Sequence, residues 1–244
     1  NGYDGDLTGV LSALAYDRAI FRGRAQLAAG RFAAQRFAAE LRKVGVRSSK
    51  SSRAGTAPAG AAKVASQRSM TVGELSRFVN VPSNNFAAEM LLKGLGARYR
   101  EKGSTRLGAS VARQTLARLG VRPRIEDGSG LSRANRTTPQ QVVRLLEGIY
   151  GGDTGRAFRA SLAVAGRTGT VARRMRGTRA AGNCRVKTGT LSNVSALAGY
   201  CRARTGRDIT FALLMNRVSP PGARAIQDRI AISIARLDEG PPEG

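Results

Sequence analysis

Apolar residues recur at helical spacing along most of this chain and change to alternate positions only near its end. Residues 1–30 are irregular and Gly-rich. From Arg31 the helical period sets in, with Ala33, Phe37, Leu41 and Val44 on one face and Gly45 as the stop. Residues 47–69 lose the period; rich in Ser, Gly, Ala and Lys, they read as a long surface excursion with room for one or two weak strands. Thr71-x-x-Glu74 is a capping box that opens a short helix carrying Leu75 and Phe78. That helix ends near Asn80, because a residue before proline, here Pro82, is pushed away from helical angles. Ser83-Asn84-Asn85 starts a longer helix through Phe86, Met90, Leu91 and Leu95. Another runs from about Thr105 to Leu119, with Leu107, Val111 and Leu116, and Gly120 ends it. Thr138-Pro139-Gln140-Gln141 combines an N-cap, a first-turn proline and a capping-box Gln ahead of Val142, Leu145, Leu146 and Ile149. Residues 151–182 read as short helices and loops. Three strands follow, over 183–190, 195–203 and 208–217, the first two close enough for a hairpin. A last helix follows Pro220-Pro221, with Ile226, Ile230, Ser233 and Leu237 on one side. Helices, then an antiparallel sheet, then a closing helix indicate an α+β domain.

Composition narrows the chemistry. The chain has 244 residues and 41% hydrophobic content, enough for one large domain or two small ones. Its formal net charge is +25, and only six of its 41 Lys and Arg residues are Lys. Such a balance suits an anionic partner, either nucleic acid or an anionic cell envelope. Clusters such as Arg173-Arg174-Met175-Arg176 lack interleaved aromatics, in a chain only 5% aromatic, which argues against a nucleic-acid stacking platform. Histidine is absent, so a Ser-His-Asp triad and any His-based metal site are excluded. Two cysteines do not make a thiolate zinc site, and no phosphate-loop motif is present. No apolar run is long enough to span a bilayer. The chain begins at Asn1, and we read it as a piece of a longer or processed protein.

Two short motifs remain as candidates. Lys187-Thr188-Gly189, followed by Thr190, sits on the first predicted strand. There Lys187 offers a fixed positive charge, Thr188 a hydroxyl for a substrate carboxylate, and Gly189 a bare strand edge for a peptide-like ligand. The Thr190 amide is placed to meet a developing oxyanion. About a hundred residues earlier, Ser83-x-Asn85 offers a proton relay and an amide to hold a substrate. Either motif alone is also an ordinary strand or helix start. Asp127-Gly128-Ser129-Gly130-Leu131 lacks the first glycine of a nucleophile elbow, and no histidine exists to activate Ser129, so it reads as a structural loop tied down by Asp127.

The text around these motifs is more specific. Pro82-Ser-Asn-Asn-Phe-Ala-Ala-Glu-Met-Leu-Leu-Lys93, Asp127-Gly-Ser-Gly-Leu-Ser-Arg133 with Asn135, and Arg185-Val-Lys-Thr-Gly-Thr-Leu-Ser192 with Ala196-Leu-Ala-Gly-Tyr200 resemble one family. It is the D-alanyl-D-alanine carboxypeptidase/endopeptidase family of low-molecular-weight penicillin-binding proteins (peptidase family S13). The resemblance covers residues 70–238, and more loosely 31–70. It implies a beta-lactamase/transpeptidase-like fold, incomplete at its N-terminus. Residues 1–69 would then be the end of an inserted region and the return into the catalytic domain, and residues 70–244 that domain's C-terminal part. It also implies export to the cell envelope, an acyl-enzyme mechanism on peptidoglycan D-Ala-D-Ala peptides, inhibition by β-lactams and no cofactor or metal. Anionic wall polymers are a further candidate partner for the basic surface. The roles carried over fall on Ser83, Asn85 and Lys187 for catalysis and on Thr188, Gly189 and Thr190 for substrate binding.

The sequence departs from the family at its nucleophile, which belongs to a Ser-x-x-Lys motif. Three residues before Lys43, Lys50, Lys63, Lys93, Lys102 and Lys187 stand Glu40, Arg47, Gly60, Met90, Tyr99 and Cys184, and none is Ser. The motif is expected upstream of Asn1, and this chain by itself is expected to be inactive. The middle residue of the second motif is Asn84, where Asp is common. Gly166-Arg-Thr-Gly-Thr170 echoes Lys-Thr-Gly and reads as a loop before the sheet. Three strands would leave an apolar sheet edge exposed. Closing the hairpin at residues 190 and 195 sets Cys184 opposite Cys201. With the oxidising compartment the resemblance implies, a disulfide is expected there, the alternative being two small buried residues.

Overall fold

The computed structural model describes residues 14–22, 24–48, 51, 55 and 58–238. It divides into two compact units, Asn1–Ser69 and Met70–Gly244. In the first, a short ladder of β1 (Ile20–Phe21) and β2 (Arg24–Ala25) precedes α1 (Ala29–Lys43). Aromatic packing there runs through Phe32, whose ring lies 6.0 Å from that of Tyr16 and 5.9 Å from that of Phe21. Of the helical face expected to be inside, Ala33 is buried and Leu41 half-buried, but Phe37 is 65% and Val44 76% exposed. The described residues between 47 and 69 contain no strand. The expectation for residues 1–13 lies outside the described residues.

The second unit begins with helices whose starts follow from their caps. Thr71 closes its capping box with Glu74 at the head of α2 (Val72–Asn80). Asn84, not Ser83, caps α3 (Asn85–Arg100), its side chain accepting from the Ala87 amide. Ser104 caps α4 (Thr105–Ala117), and Thr138 caps α5 (Pro139–Gly148). The helix α6 (Gly152–Ser161) follows.

The buried face is the expected one on α5, where Leu146 is buried and Val142, Leu145 and Ile149 are half-buried, but not on α3. Leu91 and Leu95 of α3 are exposed, whereas Glu89, Leu92 and Gly96 are buried. The cause is the close crossing of α3 and α4. A Cβ on Gly108 would stand 1.9 Å from the Leu92 carbonyl oxygen, so the contact is built on glycine and small side chains.

The sheet holds four strands in the order β3-β4-β5-β6, all antiparallel. Three match the alternating segments: β4 (Cys184–Leu191), β5 (Val194–Arg202) and β6 (Asp208–Asn216). The fourth, β3 (Ala163–Val164), is only two residues long and falls in the stretch read as helices and loops. Such a strand is too short to show a period of two. It exists because β4 offers it an edge.

The last helix, α7 (Pro220–Arg236), packs on one sheet face. Its buried stripe is Ala223, Gln227, Ala231 and Ala235, not the predicted row, since Ile226 and Leu237 are exposed. Small side chains let the helix axis approach Val186, Leu197 and Phe211, while Ile232 and Ile234 fill the flanks. Gln227 is buried in this layer and donates to Ser195 Oγ at 3.0 Å. On the other face Leu146, Leu162 and Tyr200 form a smaller core with Val142, Phe158 and Ala198. The sheet is open, with β3 and β6 as its edges. The apolar residues of β6 are nevertheless half-buried or buried rather than exposed, because α5 and α7 lie against its two faces.

Candidate active site

The site forms where β3 stops. This strand pairs only with Arg185 and Val186, so β4 from Lys187 onward has no strand on that side. The Ala165 amide donates to the Cys184 carbonyl at 2.9 Å. Backbone groups alternate sides along a strand. The N–H and C=O groups of Thr188 and Thr190 therefore face the open edge, while Lys187 and Gly189 face β5. A cleft of about 470 Å³ lies along this edge.

Two other elements wall the cleft. At the α2–α3 corner the Asn84 amide donates to the Val79 carbonyl, and Ser83 adopts a left-handed backbone with φ 59°. Ser83 and Asn85 both line the cleft from there. Asn84 has its side chain turned to helix capping, a task that Asp performs equally well, which accounts for the exchange at this position. The second wall is a 3₁₀ turn, Gly169–Val171, in the segment read as a plain loop. Gly169 has φ 59°, and a Cβ there would stand 2.1 Å from the Val81 carbonyl oxygen. Glycine thus lets the turn seat against the corner, and Thr170 reaches the cleft.

Lys187 joins these parts. Its Nζ donates to Ser83 Oγ and to the Thr188 carbonyl, each at 2.7 Å. An ammonium has three donors, so one remains for a ligand. Burial lowers the Lys187 pKa to about 8. Thr188 Oγ1 donates to Thr170 Oγ1 at 2.7 Å. No Asp or Glu lines the cleft. A lysine, several hydroxyls and two outward amides with no competing carboxylate suit a carboxylate-bearing, extended ligand. Among the described residues no group of three or more His, Cys, Asp or Glu gathers as a metal-binding cluster.

The far wall rests on a residue that the sequence pattern hid. Glu89 is 4% exposed, and its carboxylate accepts from the amides of Gly128 and Ser129 at 2.6 and 3.2 Å and from Thr105 Oγ1 at 2.5 Å. It lies in an apolar helical run, and only the α3–α4 crossing and the loop above it create its partners. Asp127 organises the same loop. It accepts from Asn135 Nδ2, Ser129 Oγ and the amides of Gly130 and Ser132. Its partial burial alone would raise its pKa, but these hydrogen bonds outweigh that and hold it below the usual range. Ser129 is thereby engaged within the loop. Arg133 ties the loop to the β4–β5 turn through Ser192 Oγ and Asn193 Oδ1. Thr190 Oγ1 accepts from Arg224 at 3.3 Å, a contact from α7 that no local motif signals.

Cys184 and Cys201 are paired residues of β4 and β5, fully buried, with their sulfurs 2.03 Å apart. They join the two strands at the end away from the cleft. Of the residues singled out in the sequence, Ser83, Asn85, Lys187, Thr188, Gly189 and Thr190 thus line one cleft, and the cysteines stand behind it.

Known proteins are similar to this chain in sequence and in fold. The chain is 40% identical over 187 residues to the D-alanyl-D-alanine carboxypeptidase of Actinomadura sp. (strain R39), a match covering 71% of this chain and 34% of that enzyme. It thus spans about a third of that relative's length. Penicillin binding protein 4 from Haemophilus influenzae, in a crystal structure with a β-lactam, superposes with a TM-score of 0.74 at 23% identity, over 88% of this chain and 53% of the other. A class A beta-lactamase from Bacteroides cellulosilyticus superposes with a TM-score of 0.52 at 19% identity, over 68% and 64% of the two chains. Both share the beta-lactamase/transpeptidase-like fold. The family model of the D-Ala-D-Ala carboxypeptidase 3 (S13) family matches residues 6–237, and the chain belongs to that family.

Proposed function

We propose that this chain is the substrate-holding part of a serine-type D-Ala-D-Ala carboxypeptidase that acts on peptidoglycan stem peptides outside the cytoplasm. The observation that carries this reading is the Lys187–Ser83 contact beside an open strand edge. The peptide lies antiparallel along β4, where Gly189 leaves room for its backbone. Lys187 and Thr188 hold the terminal carboxylate. The Thr190 amide faces the carbonyl oxygen on which negative charge develops. Asn85 holds the substrate amide, and Ser83, bonded to Lys187, relays a proton to the departing D-alanine. The attacking serine and its lysine base come from a Ser-x-x-Lys segment outside these 244 residues. Attack forms an acyl-serine and releases D-alanine, and water then cleaves the ester. β-Lactams stop the full site at the acyl stage.

The test uses this chain with two ligands. A fluorescent penicillin should form no covalent adduct, whereas a diacyl-lysyl-D-Ala-D-Ala peptide should bind reversibly. Binding should weaken at least tenfold in Lys187→Met and should decline as pH rises through about 8, where Lys187 loses its charge. Stoichiometric penicillin labelling would show an attacking group within the chain. Unchanged peptide binding in Lys187→Met would remove the carboxylate clamp. A non-catalytic wall-binding module is the second reading, favoured by the lack of Ser-x-x-Lys at all six lysines. Peptide binding without turnover by a longer form that carries that motif would support it.

A further inference from the structure

A second cavity, about 230 Å³, lies at the start of β4, the end of β5 and the start of β6. Its lining includes Arg159, Arg185, Arg202, Asp208, Tyr200 and Asn183. None of these has a part in the peptide cleft. Three guanidinium groups face one carboxylate, so the lining carries a net charge of about +2 at neutral pH. Strand register brings them together, since Arg185 pairs with Tyr200 and Arg202 with Asp208.

Two of the three arginines are held in place. The Arg159 guanidinium stacks over the Tyr150 ring, 4.1 Å from its centroid, and donates to the Tyr150 carbonyl. The Tyr150 hydroxyl donates to Asp208 at 2.7 Å, and the other Asp208 oxygen pairs with Arg202 at 3.5 Å. Tyr200 spends its hydroxyl on the Leu146 carbonyl, at 2.7 Å, and presents its ring to the cavity as a non-ionic wall. Arg185 has no acidic partner among the described ion pairs. Positive groups confined in one hollow repel one another, and a bound anion relieves that repulsion.

We propose that this cavity is a binding site for a phosphate-type dianion, either free phosphate or the terminal group of a phosphomonoester. The double negative charge matches the excess charge of the lining. Planar guanidinium forks match phosphate oxygens, and Arg159 and Arg202 are already oriented by the Tyr150–Asp208 contact. The site is separate from the peptide cleft and stands whether or not the carboxypeptidase reading holds.

Calorimetric titration of the chain with inorganic phosphate, at fixed ionic strength and pH 7.5, tests the assignment. One saturable site is expected, weakened at least tenfold by Arg185→Ala and by Arg185→Gln. Arg106→Ala, on the exposed side of α4, should leave it unchanged. Circular dichroism melts of each variant confirm that the fold is retained. Titration with glycerol 1-phosphate separates the sources: equal or tighter binding points to a phosphomonoester, and binding of inorganic phosphate alone points to the free ion. Non-saturating heats, or equal weakening by Arg106→Ala and Arg185→Ala, would reduce the effect to general charge and overturn the site.

Discussion

Lys187 shows the conflict between stability and ligand binding at the scale of one residue. Burial moves its pKa from 10.5 to about 8, so the folded chain pays a penalty for its charge at neutral pH. Each pKa unit corresponds to about 1.4 kcal/mol, which bounds the penalty at about 3 kcal/mol. Lys187→Met removes that penalty and also the hydrogen bonds to Ser83 and the Thr188 carbonyl, each contributing about 1 kcal/mol. The net expectation is a gain of about 1 kcal/mol at pH 7, read from urea midpoints. The pH dependence has a definite sign. Between about 8 and 10.5 the unfolded chain keeps the lysine proton and the folded chain has lost it, so stability rises with pH across that window. The variant should lack this rise, and a variant that keeps it would assign the effect to another group. At this scale Ser83 and Lys187 were legible because both sit in short polar motifs with recognisable spacing. Glu89 and Arg224 were not, because their partners lie on other elements.

At the scale of elements, helix starts and the α5 face followed from sequence, while the buried faces of α3 and α7 did not. Thr71, Ser104 and Thr138 cap within their own first turns, and such bonds depend only on local order. Which side of a helix is buried depends on its neighbour. α7 lays alanines on the sheet, and α3 meets α4 through Gly96 and Gly108, so large apolar residues are displaced outward. The β4–β5 hairpin is the opposite case, since its short turn fixes the register that sets Cys184 against Cys201. The link closes a loop with a sequence separation of 17. Chain-entropy arguments put such a link at about 3 kcal/mol. Cys184→Ala/Cys201→Ala should lose about 2–4 kcal/mol in urea unfolding, and reduction of the native chain should shift its midpoint the same way. Equal midpoints with and without reductant would show that the link adds no stability.

The whole molecule is dominated by its charge. A net +25 makes the folded chain repel itself, and five of its six described ion pairs have at least one partner with more than half of its side chain exposed. Salt screens the long-range repulsion, whose reach falls from about 30 Å at 0.01 M to about 8 Å at 0.15 M. Raising sodium chloride across that range should lift the melting temperature by about 3–6 °C, which corresponds to roughly 1–2 kcal/mol for a chain of this size. A fall would mean that exposed ion pairs outweigh the repulsion. Sequence by itself determined the fold class, three of the four sheet strands, the hairpin register and the residues of the two cleft motifs. These rest on local chemistry: caps, turns, alternation and short spacing. Tertiary structure alone decided where β3 stops, and so which backbone groups of β4 stay open. It also decided that Gly169 brings Thr170 to the cleft, that Glu89 supports its far wall, and that three arginines distant in sequence share one cavity. Each of these depends on how closely two elements approach, and that distance is set by packing across the fold rather than by any one segment.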